Sequence, residues 1–247
     1  MDSGRRQRTL NVLAVIAGSV LVWLGSPELA WPARLMTMVL LVVMPGLLLV
    51  QGRMADRVPE GITRTRLYGS SVLTIWILVA LVTAAAWGSG FTLRLLGLVV
   101  PAPPRLALVA LLTTAVGAAA MIAGRLLRLP ETVLLTFVLP RTRRERILFL
   151  GVALSAGVAE EFVFRSFLIP ALQAATDNVW LAVALSSGAF GLIHSYQGMS
   201  GALRASLLGL LLAVPFIATG SVLPSMAAHT ALDIIGGLWL GDWLIRH

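Results

Sequence analysis

The sequence contains no cysteine and no lysine among its 247 residues, and charged residues make up only 12% of it. Without cysteine, the chain forms no disulfide, has no thiolate nucleophile and has no zinc site built on sulfur. A soluble globular domain carries roughly 25% charged residues, so this chain has about half the charge needed for an aqueous surface. Hydrophobic residues reach 58%, and the mean hydropathy is +0.91. The composition predicts a polytopic membrane protein.

The absence of lysine means that arginine carries all of the basic charge. The 19 arginines give a formal net charge of +8. A basic chain is sometimes a nucleic-acid binder, but these arginines cluster at the ends of hydrophobic segments, where membrane topology requires them. We therefore expect the lipid bilayer, and not nucleic acid, as the partner of this basic charge.

Eight hydrophobic segments approach the length of about 20 residues that a helix needs to cross a bilayer. The predicted segments are Thr9–Leu24, Leu35–Val50, Leu67–Trp87, Leu106–Leu127, Ile147–Leu172, Val179–Ser195, Leu203–Thr219 and Val222–Ile245. The first and the sixth are short, so they are either marginal spans or re-entrant elements. The predicted fold is an all-α transmembrane helical bundle of about eight spans.

The loops between these segments divide the arginines unevenly. The loops after the second and fourth segments hold Arg53, Arg57, Arg64, Arg66, Arg125, Arg128, Arg141, Arg143, Arg144 and Arg146. The loops of opposite parity hold only Arg34, Arg94 and Arg105. Basic residues accumulate on the cytoplasmic side of membrane proteins. We therefore predict an integral protein of a bacterial plasma membrane with both termini in the cytoplasm.

Two adjacent glutamates interrupt the fifth segment, in the stretch SAGVAEEFVFRSFLIPAL. Each ionisable group at membrane depth costs about 2.5–3.5 kcal/mol even on the lenient insertion scale, so such groups are usually functional. Glu161 and Arg165 are four residues apart and share a helix face, which predicts an ion pair. Glu160 is rotated about 100° away and has no partner along the helix, which suits a general base. Small residues precede it at Ser155–Gly157 and allow close helix packing.

Two further motifs place polar groups in later apolar segments. In FGLIHSYQG, Phe190 and His194 are one helical turn apart; in HTALD, His229 and Asp233 are four residues apart on one face. The second pair is compatible with an orienting hydrogen bond, with two metal ligands, or with two donors to a developing oxyanion. Each pair alone is as typical of a structural contact as of a site. Together, on three different segments, they indicate an intramembrane site.

In their order and spacing the three motifs resemble those of the CPBP intramembrane proteases, which include the type II CAAX prenyl endopeptidases and the Abi-type bacteriocin-processing and immunity proteins. EEFVFR resembles the EExxxR motif, FGLIH the FxxxH motif and HTALD the HxxxN/D motif. The resemblance covers about Arg146–Gly237. It divides one integrated domain into N-terminal spans with basic cytoplasmic loops at 1–145 and a CAAX-protease-like catalytic core at 146–247.

The resemblance implies a role for each motif residue. Glu160 and His194 would activate the attacking water, and His229 and Asp233 would stabilise the oxyanion. The supporting residues Glu161, Arg165 and Phe190 would hold the geometry. Two positions depart from the family pattern: Ser166 stands where glycine often follows the arginine, and Asp233 stands where the prenyl endopeptidases have asparagine. An ionised aspartate donates no hydrogen bond, so Asp233 must be protonated, bind a metal or orient His229.

The resemblance leaves metal dependence open. Glu160, His194 and His229 would supply the two-histidine, one-carboxylate set that catalytic zinc uses, with one position left open. The sequence has no HExxH motif, and we expect water activation without a metal. Family members of this kind act on peptide or lipidated-protein substrates.

Three functions follow from these residues. The first is an intramembrane endopeptidase that cleaves near the cytoplasmic membrane face. The second is a proton-coupled transporter that uses Glu160, Glu161 and Asp233 as a relay. The third is a non-catalytic bacteriocin-immunity or scaffold protein that retains these groups as structural pairs. We favour the endopeptidase.

Overall fold

The computed structural model describes residues 3–51, 61–127, 133–241 and 243, and all regular structure within these ranges is helical. The helices are α1 (Ser3–Leu24), α2 (Trp31–Met38), α3 (Met44–Gln51), α4 (Arg64–Gly88), α5 (Pro103–Leu126), α6 (Val133–Val138), α7 (Arg143–Glu161), α8 (Ile169–Thr176), α9 (Val179–Ile193), α10 (Gly198–Thr219) and α11 (Leu223–Ile234). The all-α prediction is therefore confirmed.

Short π-helical segments join or extend several of these helices, and a 3₁₀ turn precedes α10. The π segments are Val39–Val43, Phe162–Leu168 and Ile235–Trp239, and the 3₁₀ turn is Ser195–Gln197. Because the first two π segments are continuous with their neighbours, α2 and α3 form one long helix, and α7 and α8 form another. The longer of these runs from Arg143 to Thr176 and carries both glutamates.

Among the residues that the structure describes, five helices are long and apolar enough to cross a membrane. They are Trp31–Leu48, Arg64–Gly88, Pro103–Leu126, Arg143–Thr176 and Ser195–Thr219. The two segments that were predicted to be short, Thr9–Leu24 and Val179–Ile193, are indeed shorter apolar helices. The eighth segment corresponds to α11 and its π extension. Of the loop arginines behind the predicted orientation, Arg53, Arg57 and Arg128 lie outside the described residues.

A capping box fixes the start of α7. The Thr142 hydroxyl accepts from the Glu145 backbone N–H at 3.2 Å, and the Glu145 carboxylate accepts from the Thr142 N–H at 3.1 Å. This arrangement satisfies two amide groups that would otherwise lack a partner at the helix start. Glu160 lies thirteen residues beyond Ile147, where the apolar run begins, which is about 20 Å of helix.

The π segment after Glu161 has a local cause. Pro170 has no N–H, and its ring would clash with the carbonyl of residue 166 in a regular helix. The widened π register relieves this conflict, and π segments of this kind are frequent at functional sites. The whole stretch from Val163 to Leu168 is buried, so the distortion lies inside the bundle.

Glycines set the distance between the helices that carry the motifs. A Cβ atom at Gly157 would collide with the backbone of Thr230, and one at Gly237 would collide with the Phe149 ring. A Cβ atom at Gly191 would likewise meet the carbonyl oxygen of Ala202. Therefore α7 lies directly against α11, and α9 lies directly against α10. These two contacts bring the three motifs to one level of the bundle.

Candidate active site

Glu161 and Arg165 form the ion pair that their spacing predicts. Arg165 Nη1 lies 3.1 Å from Glu161 Oε1, and both side chains are almost fully buried, with 1% and 0% exposed. The second guanidinium nitrogen, Nη2, donates to the carbonyl of Gly209 on α10 at 3.0 Å. Buried charges are tolerated when they are paired and hydrogen-bonded in this way. The pair therefore fixes α7 to α10.

The Glu161 carboxylate also orients His229 on α11. Its Oε1 atom lies 2.8 Å from His229 Nδ1, within hydrogen-bonding distance. Asp233, which is four residues after His229, has Oδ1 at 3.8 Å from the other ring nitrogen, beyond a direct hydrogen bond. Glu161, and not Asp233, is thus the residue that orients His229. Sequence spacing could not indicate this contact, because 68 residues separate the partners.

Glu160 faces both histidines across a gap. Its Oε2 atom is 4.0 Å from His194 Nε2 and 3.9 Å from His229 Nε2. Polar atoms at such a separation are commonly bridged by one water molecule, with a hydrogen bond on each side. Glu160 is 16% exposed and His194 is 14% exposed, so the site has limited access to its surroundings. The structure brings together Glu160 and His194, which were proposed to activate water, and His229, which was proposed to stabilise the oxyanion.

The hydrogen-bond partners of the histidines assign their tautomers. His194 Nδ1 is 2.7 Å from the carbonyl oxygen of Phe190, which only accepts, so Nδ1 carries the proton and donates it. His229 Nδ1 donates to the Glu161 carboxylate, which is also paired with Arg165. Each neutral ring therefore presents a bare Nε2 atom to the space beside Glu160.

Phe190 lies at the centre of these groups. The guanidinium carbon of Arg165 is 4.6 Å from the centre of the Phe190 ring, which is a cation–π contact. The same ring is 4.6 Å from the His194 ring and 6.1 Å from the His229 ring, centre to centre. Phe190 therefore contacts Arg165 and both imidazoles, while its carbonyl fixes the tautomer of His194.

Ser166 and Asp233, the two departures from the family pattern, have different surroundings. Ser166 is fully buried in the π segment, and its hydroxyl has no hydrogen-bond partner among the residues that the structure describes. Asp233 is 31% exposed, which makes it the most accessible of the four residues proposed to be catalytic. Asp233 thus lies at the rim of the site.

Glu160 and the two histidines are spaced more widely than the ligands of a zinc ion. A tetrahedral zinc ion with bonds of about 2.0–2.1 Å holds its ligand atoms about 3.4 Å apart. The Glu160 oxygen lies 3.9–4.0 Å from the two imidazole nitrogens, which is wider. Across residues 3–51, 61–127 and 133–241, no group of three His, Asp or Glu side chains is arranged to hold a metal ion. Glu160, His194 and His229, at these separations, do not fit a zinc ion.

A cavity lies beside α7. Its volume is about 680 Å³, and apolar side chains of α4, the following loop, α7 and α11 line it. The lining includes Val158 and Ala159 of α7 and Phe162 of its π extension. At about 100° per residue, Val158 and Phe162 lie about 160° from Glu160 around the helix, and Ala159 lies about 100° from it. Glu160 and the two site histidines do not line this cavity.

The fold and site define an all-helical membrane protein with carboxylates and imidazoles enclosed in its bundle. Residues 142–235, from the cap of α7 to the end of α11, match the family of type II CAAX prenyl endopeptidases that is described as Rce1-like. This part of the chain is therefore a domain of that intramembrane protease family, which confirms the resemblance seen in the three motifs. No curated protein and no solved structure matches the chain.

Proposed function

We propose that the protein is an intramembrane endopeptidase in which Glu160 and His194 activate water to cleave a substrate peptide bond. The observation that carries this proposal is the position of Glu160 Oε2, 4.0 and 3.9 Å from the Nε2 atoms of His194 and His229. A water molecule in this gap donates one hydrogen to the carboxylate and the other to His194. Its oxygen lone pair is then free to attack.

The reaction balances with these groups alone. Glu160 takes a proton from the water as the water oxygen forms a bond to the substrate carbonyl carbon, and the carbonyl electrons move onto the carbonyl oxygen. When the tetrahedral intermediate collapses, the C–N bond breaks and Glu160 returns the proton to the leaving nitrogen. The products are a carboxylic acid and an amine, and Glu160 is regenerated.

Burial of Glu161 and Arg165 contributes to this chemistry by fixing the site before substrate arrives. His229 is held by Glu161, and Glu161 is held by Arg165, which itself bonds to Gly209. Preorganised groups in a low-dielectric site stabilise developing charge without reorganisation at the moment of reaction. His229 donates from Nε2 only in its doubly protonated form, and Asp233 adjoins that atom at 3.8 Å. His229 in this form, and Asp233 when its carboxyl group is protonated, are proposed to donate hydrogen bonds to the oxyanion.

The depth of the site favours a substrate that is itself held in the membrane. Glu160 lies about 20 Å of helix beyond the start of the apolar run, and the hydrocarbon core is about 30 Å thick. A peptide must extend into the bundle to reach it. We propose a lipidated or otherwise membrane-anchored substrate that enters from the cytoplasmic face.

The test is cleavage of a quenched fluorescent lipopeptide library by the purified full chain in nanodiscs. Wild type should cleave at least one member, and Glu160→Gln and His194→Ala should each lose this activity. Glu28→Gln, a change at an exposed carboxylate outside the site, is the matched control and should cleave normally. Retained cleavage in Glu160→Gln, or no cleavage by well-folded wild type, would contradict the proposal.

A further inference from the structure

The proposed active site has many hydrogen-bond acceptors and few hydrogen-bond donors. The inference drawn from this difference rests on the proposed function. His194 and His229 both use their Nδ1 protons elsewhere, on the Phe190 carbonyl and on Glu161. When the rings are neutral, Glu160, Asp233 and both Nε2 atoms face the reaction space as acceptors. Hydrolysis of a peptide bond builds negative charge on the carbonyl oxygen, and this charge requires a hydrogen-bond donor.

Tyr196 carries a hydroxyl next to this site. It lies in the 3₁₀ turn Ser195–Gln197 that follows His194 directly, and its ring centre is 5.8 Å from that of His194 at an interplanar angle of 34°. His194 is the histidine whose Nε2 atom lies 4.0 Å from Glu160. The Tyr196 ring therefore lies beside an imidazole that faces Glu160, on the side of α9.

A hydrogen bond prepares this hydroxyl for donation. Gln197 Nε2 donates to the Tyr196 oxygen at 3.2 Å, so this bond occupies a lone pair and leaves the phenolic proton available. A hydroxyl that accepts a hydrogen bond becomes a stronger donor in turn. Gln197 is itself held, because its side chain lies directly against Gly201 in the first turn of α10.

The backbone of the turn keeps Tyr196 beside His194. Gly198 has φ +79° and ψ 174°, a conformation that is essentially restricted to glycine, and it follows the turn directly as the first residue of α10. The histidine and the tyrosine are thus fixed by one short segment between two packed helices.

We propose that Tyr196 is a further catalytic residue whose hydroxyl donates a hydrogen bond to the carbonyl oxygen of the scissile peptide. The bond strengthens as that oxygen becomes an oxyanion in the tetrahedral intermediate. The hydroxyl keeps its proton throughout, so the proton transfers of Glu160 are unchanged. Unlike His229, Tyr196 donates whether or not the imidazole carries a second proton.

The test compares Tyr196→Phe with wild type in the full chain, on the best lipopeptide from the library. The change removes one oxygen and keeps the ring, so KM should stay within about twofold while kcat falls about 100-fold or more, as after loss of an oxyanion donor. The chain's other tyrosine offers a matched control. Tyr68 donates its hydroxyl to the Val138 carbonyl near the start of α4, and Tyr68→Phe should keep kcat within about twofold.

A second measurement separates a catalytic from a structural role. A peptide aldehyde, which forms a tetrahedral hydrate, should bind Tyr196→Phe more than about tenfold more weakly than wild type. The matching uncleaved peptide amide should bind both proteins equally. Wild-type kcat in Tyr196→Phe, or equal losses in both tyrosine variants, would overturn the inference. A wild type without Glu160-dependent cleavage would overturn the proposed function and this inference with it.

Discussion

Glu161 and His229 are joined by a hydrogen bond of 2.8 Å between α7 and α11, and the carboxylate atom that accepts it also pairs with Arg165. The second glutamate of the motif is thus a structural link between a buried cation and a site histidine. The first glutamate, Glu160, has no direct hydrogen bond to either histidine, at 3.9 and 4.0 Å. This difference gives the two adjacent carboxylates different expected mutant phenotypes.

Glu161→Gln should abolish cleavage and lower the thermal midpoint of unfolding, because the change leaves the Arg165 charge buried without its partner. Breaking one side of a buried ion pair costs about 3–5 kcal/mol. Glu160→Gln should abolish cleavage and keep its thermal midpoint near that of wild type. Thermal unfolding of both variants in the same detergent checks this. Equal midpoints for the two variants would contradict the assigned division of roles.

His194→Asn should fold normally and lose activity. The asparagine amide occupies the place of Nδ1 and still donates to the Phe190 carbonyl, but nothing replaces the Nε2 lone pair. Loss of a group that assists proton transfer lowers kcat by about 10²–10⁴-fold. The measurement is kcat together with the thermal midpoint. An active His194→Asn protein would show that the bare nitrogen is not used.

Gly157→Ala should separate α7 from α11 and lower both stability and activity. A Cβ atom there would collide with the Thr230 backbone, and overpacking of this kind costs about 1–3 kcal/mol. Gly151→Ala, two turns earlier on the same helix, meets no atom within 4 Å and is the control. It should match or exceed wild-type stability, since alanine is the better helix former. Similar behaviour of the two variants in thermal unfolding would contradict the close helix contact.

Gly198→Ala should reduce activity by straining the turn that carries Tyr196. Backbone conformations of this type cost a residue with a side chain about 1–3 kcal/mol. Gly188→Ala in the middle of α9 has open space around the added methyl group and provides the comparison. The readout is kcat/KM at equal amounts of folded protein. If both alanine variants cleave as wild type does, the turn is not a constraint on the site.

Chelators should leave cleavage unchanged, because the described histidines and carboxylates are not spaced to hold a metal ion. Activity is measured before and after treatment with 1,10-phenanthroline and again after adding zinc. Loss of cleavage with recovery on zinc would overturn the metal-free expectation and would require Glu160, His194 and His229 to move together.

Hydropathy and spacing predicted the fold class and the pairing within one helix. Each of the predicted hydrophobic segments contains a helix, because burial of apolar residues in a bilayer demands one. The Glu161–Arg165 pair followed from their four-residue spacing alone. The same spacing left open whether Asp233 orients His229, and the two side chains lie 3.8 Å apart, because a shared helix face brings side chains near without setting their final distance.

Contacts between helices could not be predicted in this way. The Glu161–His229 bond depends on the register of α7 against α11, which the close approach at Gly157 and Thr230 determines. The tautomer of His194 depends on a backbone carbonyl, and the residue types of the motif do not indicate that contact. Tyr196 stands in the sequence as one polar residue of a loop, and only the turn after His194 brings it beside the site.

The pairing of Arg165 with Glu161 inside one helix also affects how this segment enters the membrane during synthesis. Gly209 and His229, the outside partners of this pair, belong to helices that are synthesised later. Because the arginine and the glutamate neutralise each other within four residues, the segment carries its own counterion when it leaves the translocon. It can therefore partition into lipid before the later helices emerge from the ribosome, and the site is completed afterwards by their arrival.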